Sequence, residues 1–317
     1  MIDPTPSQAP EIIEAAAVPQ PQADYDVTRE VGYYQLVWRR LRRHRMAMIS
    51  AGVLVFLTLA SFIVPSILAT LAPNVYSDTP DLLNRFGAPS WPHIMGTDEL
   101  GRDIFRRILQ GGQISLMVGL FGMMVTVLLG GTIGAVAGYF GSIVDNILMR
   151  ITDAMLTIPQ IFLLILIATA FGGSVSPTVM VLAIGLTLWP YPARIIRSVV
   201  LSIKEKEFVE AARAVGSGNS KIILRHVIPN ALGPILVAAT LYVGAAILTE
   251  SAVSYLNLGI GPPLASWGSM LFRAQEFIWE AGYYALFPGL MILITVLCIN
   301  FMGDGLRDAF DPRSFDR

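Results

Sequence analysis

Few residues in this chain could carry covalent or metal chemistry. Its histidines, His44, His93 and His226, are far apart, and its one cysteine, Cys298, lies in an apolar run. One cysteine excludes a disulfide within the chain and a metal site built from several cysteines, and three scattered histidines supply no ligand cluster. Neither a Ser/His/Asp set nor an H-E-x-x-H zinc motif is visible. We therefore expect a non-catalytic protein with no metal and no cofactor of its own.

The lysines lead to the same expectation. None of Lys204, Lys206 and Lys221 follows a glycine and precedes a serine or threonine, as the lysine of a phosphate-binding loop does. If the system uses ATP, a different chain hydrolyses it.

A polar segment, Glu207 to Pro229, separates two very apolar blocks. Helix formers from Glu207 to Val215 predict a short helix, which Gly216 ends because glycine tolerates the left-handed conformation after a helix. One face of this helix is predicted to hold Phe208, Ala211, Ala212 and Val215.

A second short helix is expected after the glycine. It would run through Ile222 to Arg225, and Pro229 would either end this unit or open the next helix at its first turn. Its candidate N-cap residues are Ser217, Asn219 and Ser220. Two short helices around a bend are a shape suited to docking a partner.

The composition indicates an integral membrane protein. Of the 317 residues, 54% are hydrophobic and 14% are charged, and the mean hydropathy is +0.61, whereas soluble domains carry about 25% charged residues. Six apolar runs approach the roughly 20 residues needed to cross a bilayer. They cover 46–71, 114–139, 155–171, 179–200, 232–256 and 285–302. The predicted fold class is an all-α membrane protein with six transmembrane helices.

Basic residues predict the orientation. With the N-terminus inside, 17 of the 22 Lys and Arg lie on the cytoplasmic side, as the positive-inside rule requires. Both termini and the segment Glu207 to Pro229 would then be cytoplasmic. We expect Arg194 and Arg197, at the inner end of the fourth run, either to pair with Glu205 or Glu207 or to anchor the helix at the interface.

The regions outside the spans divide by composition. Residues 1–32 are predicted to be a flexible cytoplasmic tail, and residues 33–45 a basic interfacial helix that meets anionic membrane lipid. Nucleic-acid binding by this basic run is set aside because a membrane span follows at once. Residues 72–112 form an outer loop, and residues 305–317 a second cytoplasmic tail.

The outer loop is predicted to contain an amphipathic helix at the membrane surface. Thr97 or Asp98 can cap it, and Leu100, Ile104 and Ile108 would share its apolar face.

Several motifs resemble one protein family. Glu210-Ala211-Ala212, then Gly216 after three residues, and later Ile228-Pro229 are similar to the EAA loop of permease subunits of binding-protein-dependent ABC importers. His226 and Ile228 replace the isoleucine and leucine that are common there, but both keep a bulky side chain. Three further motifs resemble the C-type permease of dipeptide and oligopeptide importers, and they are Gly96 to Asp103, Leu258 to Gly268 and Gly303 to Asp308. Together the matches run from about residue 33 to 313.

The resemblance implies a fold, a function and partners. The fold would be the type I ABC importer fold, with its core at 113–304 and its coupling loop at 204–230. The partners would be a second homologous permease, two cytoplasmic ATPase subunits that bind ATP and Mg²⁺, and a periplasmic or lipid-anchored substrate-binding protein. The cargo class implied is short peptides, moved by alternating access.

The resemblance also assigns candidate site residues. The coupling loop would act through Glu210, Ala211, Ala212, Gly216, Ser217, Asn219, Ser220, Arg225 and Pro229. Glu250 and Asn300 are candidates for the translocation path. The alternative is a helix-packing hydrogen bond or, for Glu250, exposure at the outer interface. Asp98, Arg102 and Asp103 are candidates for contact with the binding protein, with local capping and pairing as the alternative.

Three rival interpretations stay open from the sequence. The same family also transports nickel, oligosaccharides and opines. A secondary transporter driven by an ion gradient would need acids at mid-membrane, for which Glu250 is the one good candidate. A membrane enzyme would need the catalytic set that the sequence lacks.

Overall fold

The computed structural model describes residues 33–71 and 79–310. Within these ranges the protein is all-helical, and one isolated bridge pairs Thr97 with Asp103. The helices are α1 (Tyr33–Arg43), α2 (Arg45–Leu71), α3 (Ile104–Phe140), α4 (Ser142–Thr157), α5 (Gln160–Ala170), α6 (Pro177–Leu188), α7 (Pro190–Lys204), α8 (Glu207–Ala214), α9 (Asn219–Ile222), α10 (Ile228–Tyr255), α11 (Trp267–Gln275) and α12 (Gly282–Phe310). The predicted tail 1–32, the end of the other tail at 311–317 and the start of the outer loop at 72–78 lie outside the described residues.

Four uninterrupted helical stretches are long and apolar enough to span a membrane: α2, α3, the run Asn219–Tyr255 and α12. Two bent pairs can each supply one more span, α4 with α5 at 80° and α6 with α7 at 49°. The bends coincide with Pro159 and Pro190, because proline cannot continue the hydrogen-bond ladder of the preceding turn. The all-helical membrane fold is thus confirmed, with four to six candidate spans in the described residues.

Helix α3 lies at the centre and packs against α2, α6, α7 and α10. A Cβ added at Gly130, Gly134 or Gly138 would meet the backbone of α7 or of Trp189, the residue just before it. These glycines recur every fourth residue, so they form one stripe along which two helix backbones come close.

The amphipathic surface helix predicted in the outer loop is wrong. Asp98 instead accepts hydrogen bonds from the backbone N–H groups of Leu100 and Arg102, each 2.9 Å long, and so closes a turn. The helix begins later, at Ile104, where Asp103 accepts from the Arg106 N–H at 2.8 Å as the N-cap. It then continues without a break as α3, because its apolar face joins that of the span.

The first and last helices, α1 and α12, also end at residues other than those predicted. The basic segment forms α1, and His44 breaks it from α2 by accepting the Ala47 N–H on Nδ1 at 3.1 Å. Helix α12 continues through Phe310, so the first part of the predicted tail 305–317 is helical. It does so because it packs on α1 and α2, with Gly305 against Ala47.

Candidate functional site

The polar segment between α7 and α10 forms a short helix, a glycine turn and a second helix. At the end of α8 the Ser217 N–H donates to the Ala212 carbonyl at 3.1 Å, and the Gly216 N–H donates to the Arg213 carbonyl at 3.0 Å. This is the Schellman pattern, which needs a left-handed residue after the helix. Gly216 supplies it with φ of 80°. A Cβ there would meet open space, so the need for glycine is conformational rather than steric.

The buried face of α8 differs from the predicted face. Val209 and Ala212 are buried against a cluster formed by α3 and α7. The other predicted face residues point outwards, and they are Phe208, Ala211 and Val215. Val209 is the buried residue because it lies on the same helix face as Ala212, three residues later. Leu224, in the turn that follows α9, is also exposed.

The second helix has no side-chain cap, so the N-cap prediction for Ser217, Asn219 and Ser220 is wrong. Gly218 occupies the N-cap position. The Asn219 Oδ1 instead accepts a hydrogen bond from the Tyr139 hydroxyl at 2.9 Å. Since Tyr139 is at the end of α3, this bond ties the turn to the central helix.

The second helix runs on into α10 without a stop. Between α9 and α10 the chain makes one wider turn, Ile223–Val227, and Pro229 lies in the first turn of α10. Proline offers no N–H to the carbonyl of Arg225, which accounts for the widened turn. Of the two roles predicted for Pro229, it has the second: it opens the next helix. The segment is therefore continuous with a candidate span.

The outward side of this segment holds Glu210. It is exposed in the first turn of α8, where the helix dipole favours an acid, and its carboxylate meets no partner among residues 33–71 and 79–310. Ser220 and Arg225 are exposed as well. We call the exposed surface of Phe208, Glu210, Ala211, Val215 and Leu224 the docking face.

Two ion pairs fix α7 to α4 beside this segment. Arg197 binds Asp145 through two hydrogen bonds of 2.5 Å, and Arg194 pairs with Asp153. The predicted pairing of these arginines with Glu205 or Glu207 is wrong. It failed because both aspartates lie in α4, most of which falls in the stretch 140–154 that was given no predicted element.

Glu250 is fully buried in α10 at a junction with α3 and α11. Its Oε2 accepts from the Ser115 hydroxyl at 3.1 Å, and its Oε1 accepts from the Ser254 hydroxyl at 2.7 Å. Each serine oxygen in turn accepts a backbone N–H, from Trp267 at 3.2 Å and from Ile260 at 3.2 Å. The structure thus gives Glu250 helix-packing hydrogen bonds. Its part in a translocation path is not tested and stays a prediction.

Asn300 is half-buried in α12, on the side that faces α10. A Cβ added at Gly244 would lie 3.8 Å from the Asn300 Oδ1. Its predicted role in the path also stays a prediction.

Asp98, Arg102 and Asp103 form a charged cluster beneath the protein surface. The Arg102 Nε donates to the Asp98 Oδ2 at 2.8 Å, and the Asp103 Oδ2 lies 2.9 Å from the His93 Nδ1. Asp98 and Asp103 are buried, and Arg102 is mostly covered. The local capping and pairing weighed in the sequence is present, and contact with a binding protein stays a prediction.

Sequence reasoning missed several residues that organise these sites. Ser115, Ser254 and Trp267 were passed over because a serine or tryptophan in an apolar run gives no signal by itself. Tyr139 was likewise taken as the end of a span. Only the fold brings these residues to Glu250 and Asn219.

Comparison with known proteins decides the family. The inner membrane component of binding-protein-dependent transport systems matches residues 130–316. The chain belongs to this family. Residues 32–89 also match the N-terminal transmembrane domain of oligopeptide transport permease C.

Curated relatives agree over most of the chain. A dipeptide transport system permease protein from Alkalihalophilus pseudofirmus is 40% identical over 296 residues, which are 93% of this chain and 94% of the relative. A protein from Brucella suis biovar 1, named as a peptide permease, is 43% identical over 240 residues, 74% of this chain and 78% of the relative. With its apolar helices, the chain is a multi-pass inner-membrane protein.

Proposed function

We propose that this chain is the permease subunit of an ATP-driven importer that moves short peptides across the inner membrane by alternating access. Peptide cargo is supported by the relatives, which are named as peptide and dipeptide permeases. These names favour peptides over nickel, oligosaccharides or opines, and the family does not favour an ion-driven transporter. The chain itself is non-catalytic, and ATP and Mg²⁺ bind to separate ATPase subunits.

The observation that carries this proposal is the docking face. It is exposed and apolar with one unpartnered acid, as a protein partner requires. The segment behind it is bound to α3 by Tyr139 and is continuous with α10. A displacement of the docking face would therefore be transmitted directly to α3 and α10. We propose that one of two cytoplasmic ATPase subunits binds here through residues 204–230.

Six spans and two cytoplasmic termini complete the proposed topology. The spans are α2, α3, α4 with α5, α6 with α7, α10 and α12, which counts each bent pair once. This topology places the docking face on the basic side of the chain and residues 79–103 on the other side, in agreement with the positive-inside rule.

The remaining partners are proposed from the family. A second, distinct permease would complete the path, and Glu250 and Asn300 would lie near it. A periplasmic or lipid-anchored binding protein would dock on the outer loop. There the ion pairs of Asp98 with Arg102 and of Asp103 with His93 stabilise the loop conformation.

The test is ATP-driven peptide uptake by the full complex in vesicles. Glu210→Ala removes the exposed acid, and Gly216→Pro cannot adopt the φ of 80°. Glu280→Ala is the control, since it removes an exposed acid that lies outside residues 204–230. We expect both test variants to lose uptake, with their ATPase subunits dissociated or uncoupled, and the control to keep it. Normal uptake by both test variants would contradict the coupling role, and absence of peptide uptake by the native complex would contradict the cargo.

A further inference from the structure

A pocket of about 300 Å³ opens at the outer end of α3. Its lining consists of Arg102, Arg107, Gln110, Gln113 and Ile114, and of the turn Pro263 to Ala265 that precedes α11. Gln110 and Tyr139 are separated by roughly 44 Å along α3 at 1.5 Å per residue. The pocket is therefore at the opposite end of the molecule from the docking face.

The polar lining of this pocket is rich in hydrogen-bond donors. Both guanidinium groups share the Asp98 carboxylate behind them, with Arg102 Nη2 at 2.8 Å and Arg107 Nε at 3.4 Å from its Oδ2. Glu99 lies 3.6 Å from Arg102. These acids hold the two arginines in place, but neither acid lines the pocket. The side chains of Arg102 and Arg107 are only 16% and 11% exposed, so both are already ordered before a ligand arrives.

Such a lining suits a carboxylate. Arginine presents a planar fork of N–H groups that matches two carboxylate oxygens, and the Gln113 amide, which donates one N–H to the Ser61 carbonyl at 2.7 Å, carries a second N–H. Ile114, Pro263 and Leu264 add apolar surface beside them. The volume is at the lower end of the roughly 300–1,000 Å³ of small-molecule sites, which suits one terminal residue better than a whole peptide.

We infer that this pocket binds the terminal carboxylate of a peptide at the outer mouth of the protein. The inference rests on the proposed function, because it names the part of the cargo that this chain recognises. Every linear peptide with a free C-terminus carries this group, whatever its side chains are. A subsite for this group would accept peptides as a class, whatever the sequence of the peptide.

A thiol-labelling experiment measures directly whether a peptide occupies the pocket. Leu264→Cys places a thiol on the lining, and Cys298→Ala removes the native cysteine. The reaction rate of this thiol with a maleimide is measured on the assembled complex in lipid nanodiscs, without the binding protein. The probes are dialanine with a free carboxylate and dialanine amide. Leu83→Cys, at an outer-loop position that is 97% exposed, is the matched control.

We expect the free acid to slow the labelling of Leu264→Cys by about fivefold or more, since charge-assisted hydrogen bonds form only with the carboxylate. The amide should leave the rate within about twofold for the same reason, and Leu83→Cys should respond to neither. Equal protection by acid and amide, or protection by neither, would overturn the inference.

A second variant tests the donors themselves. Gln110→Glu places a carboxylate in the pocket at nearly constant volume, and Gln110→Met is its neutral control. The free acid should no longer protect the thiol of Leu264→Cys in the Gln110→Glu variant. In the Gln110→Met variant it should still protect this thiol, but less strongly. If Gln110→Glu does not assemble, the comparison of acid with amide in Leu264→Cys alone decides.

Uptake by the native complex in vesicles separates the two hypotheses. If the complex takes up peptide but the free acid does not protect Leu264→Cys from labelling, the carboxylate-binding inference is wrong and the proposed function stands. No uptake of any peptide overturns the proposed function, and the carboxylate site falls with it.

Discussion

Glu250 shows how a single buried residue can fix the direction of a hydrogen-bond network. Ser115 and Ser254 each accept a backbone N–H and donate their hydroxyl proton to Glu250. In these two hydrogen bonds both oxygens of Glu250 act as acceptors. The network joins α3, α10 and the start of α11, and Trp267 seals it by donating its ring N–H to the Ile108 carbonyl at 2.9 Å.

This polarity makes a substitution test possible. Glu250→Gln keeps the shape but turns one acceptor into an N–H donor that faces a hydroxyl proton. We expect a loss of about 1–3 kcal/mol in the free energy of unfolding, the usual cost of an unsatisfied buried polar group. The measurement is thermal unfolding of the purified protein in detergent. Ser251→Ala is the control, because its hydroxyl lies 3.5 Å from Glu250 and contributes little. Equal stability of native and Glu250→Gln would contradict the network.

Tyr139 gives a second test at this scale. Tyr139→Phe removes only the hydroxyl that donates to Asn219. We expect a modest stability loss of about 0.5–1.5 kcal/mol and more ATP hydrolysed per peptide imported, because the turn beside the docking face is less firmly held. Unchanged ATP consumption per peptide would contradict a mechanical role for this bond. The measurement is paired ATPase and uptake rates in vesicles.

At the scale of elements, the contact of α3 with α7 depends on the absence of side chains. Gly134→Ala would place a methyl group against the Ala193 carbonyl, whereas Gly131→Ala would place it 3.4 Å from the end of the Ile196 side chain. We expect the first to destabilise the protein by about 1–3 kcal/mol, as overpacking does, and the second to be nearly neutral. Thermal unfolding of both variants measures this difference. Similar unfolding temperatures would mean that the two helices can separate freely.

Element boundaries were predictable where the pattern was local. The glycine stop after α8 was predictable because it depends only on that helix and its own sequence. The outer helix was mispredicted because Asp98 folds into a turn with Arg102, a choice that spacing alone does not reveal. The partners of Arg194 and Arg197 were mispredicted because they depend on how α4 packs, a contact between distant parts of the chain.

At the scale of the whole molecule, two candidate sites occupy opposite ends of the central helix α3. The pocket lined by Arg102 and Arg107 lies at its N-terminal end, and the docking face lies beside its C-terminal end. The composition and the six apolar runs already predicted a membrane protein. The pocket was not predictable, since it forms only when the turn at Pro263 to Ala265 meets the start of α3.

The central claim is that the docking face contacts an ATPase subunit, and photo-crosslinking tests it most directly. Val215, which is 82% exposed, is replaced by cysteine in a Cys298→Ala background and labelled with a benzophenone. Leu83→Cys, on the proposed outer side, is the control. On illumination of the assembled complex we expect a crosslinked product of this chain with the ATPase subunit from Val215→Cys and none from Leu83→Cys. An intact, transporting complex with no such product from Val215→Cys would contradict the account.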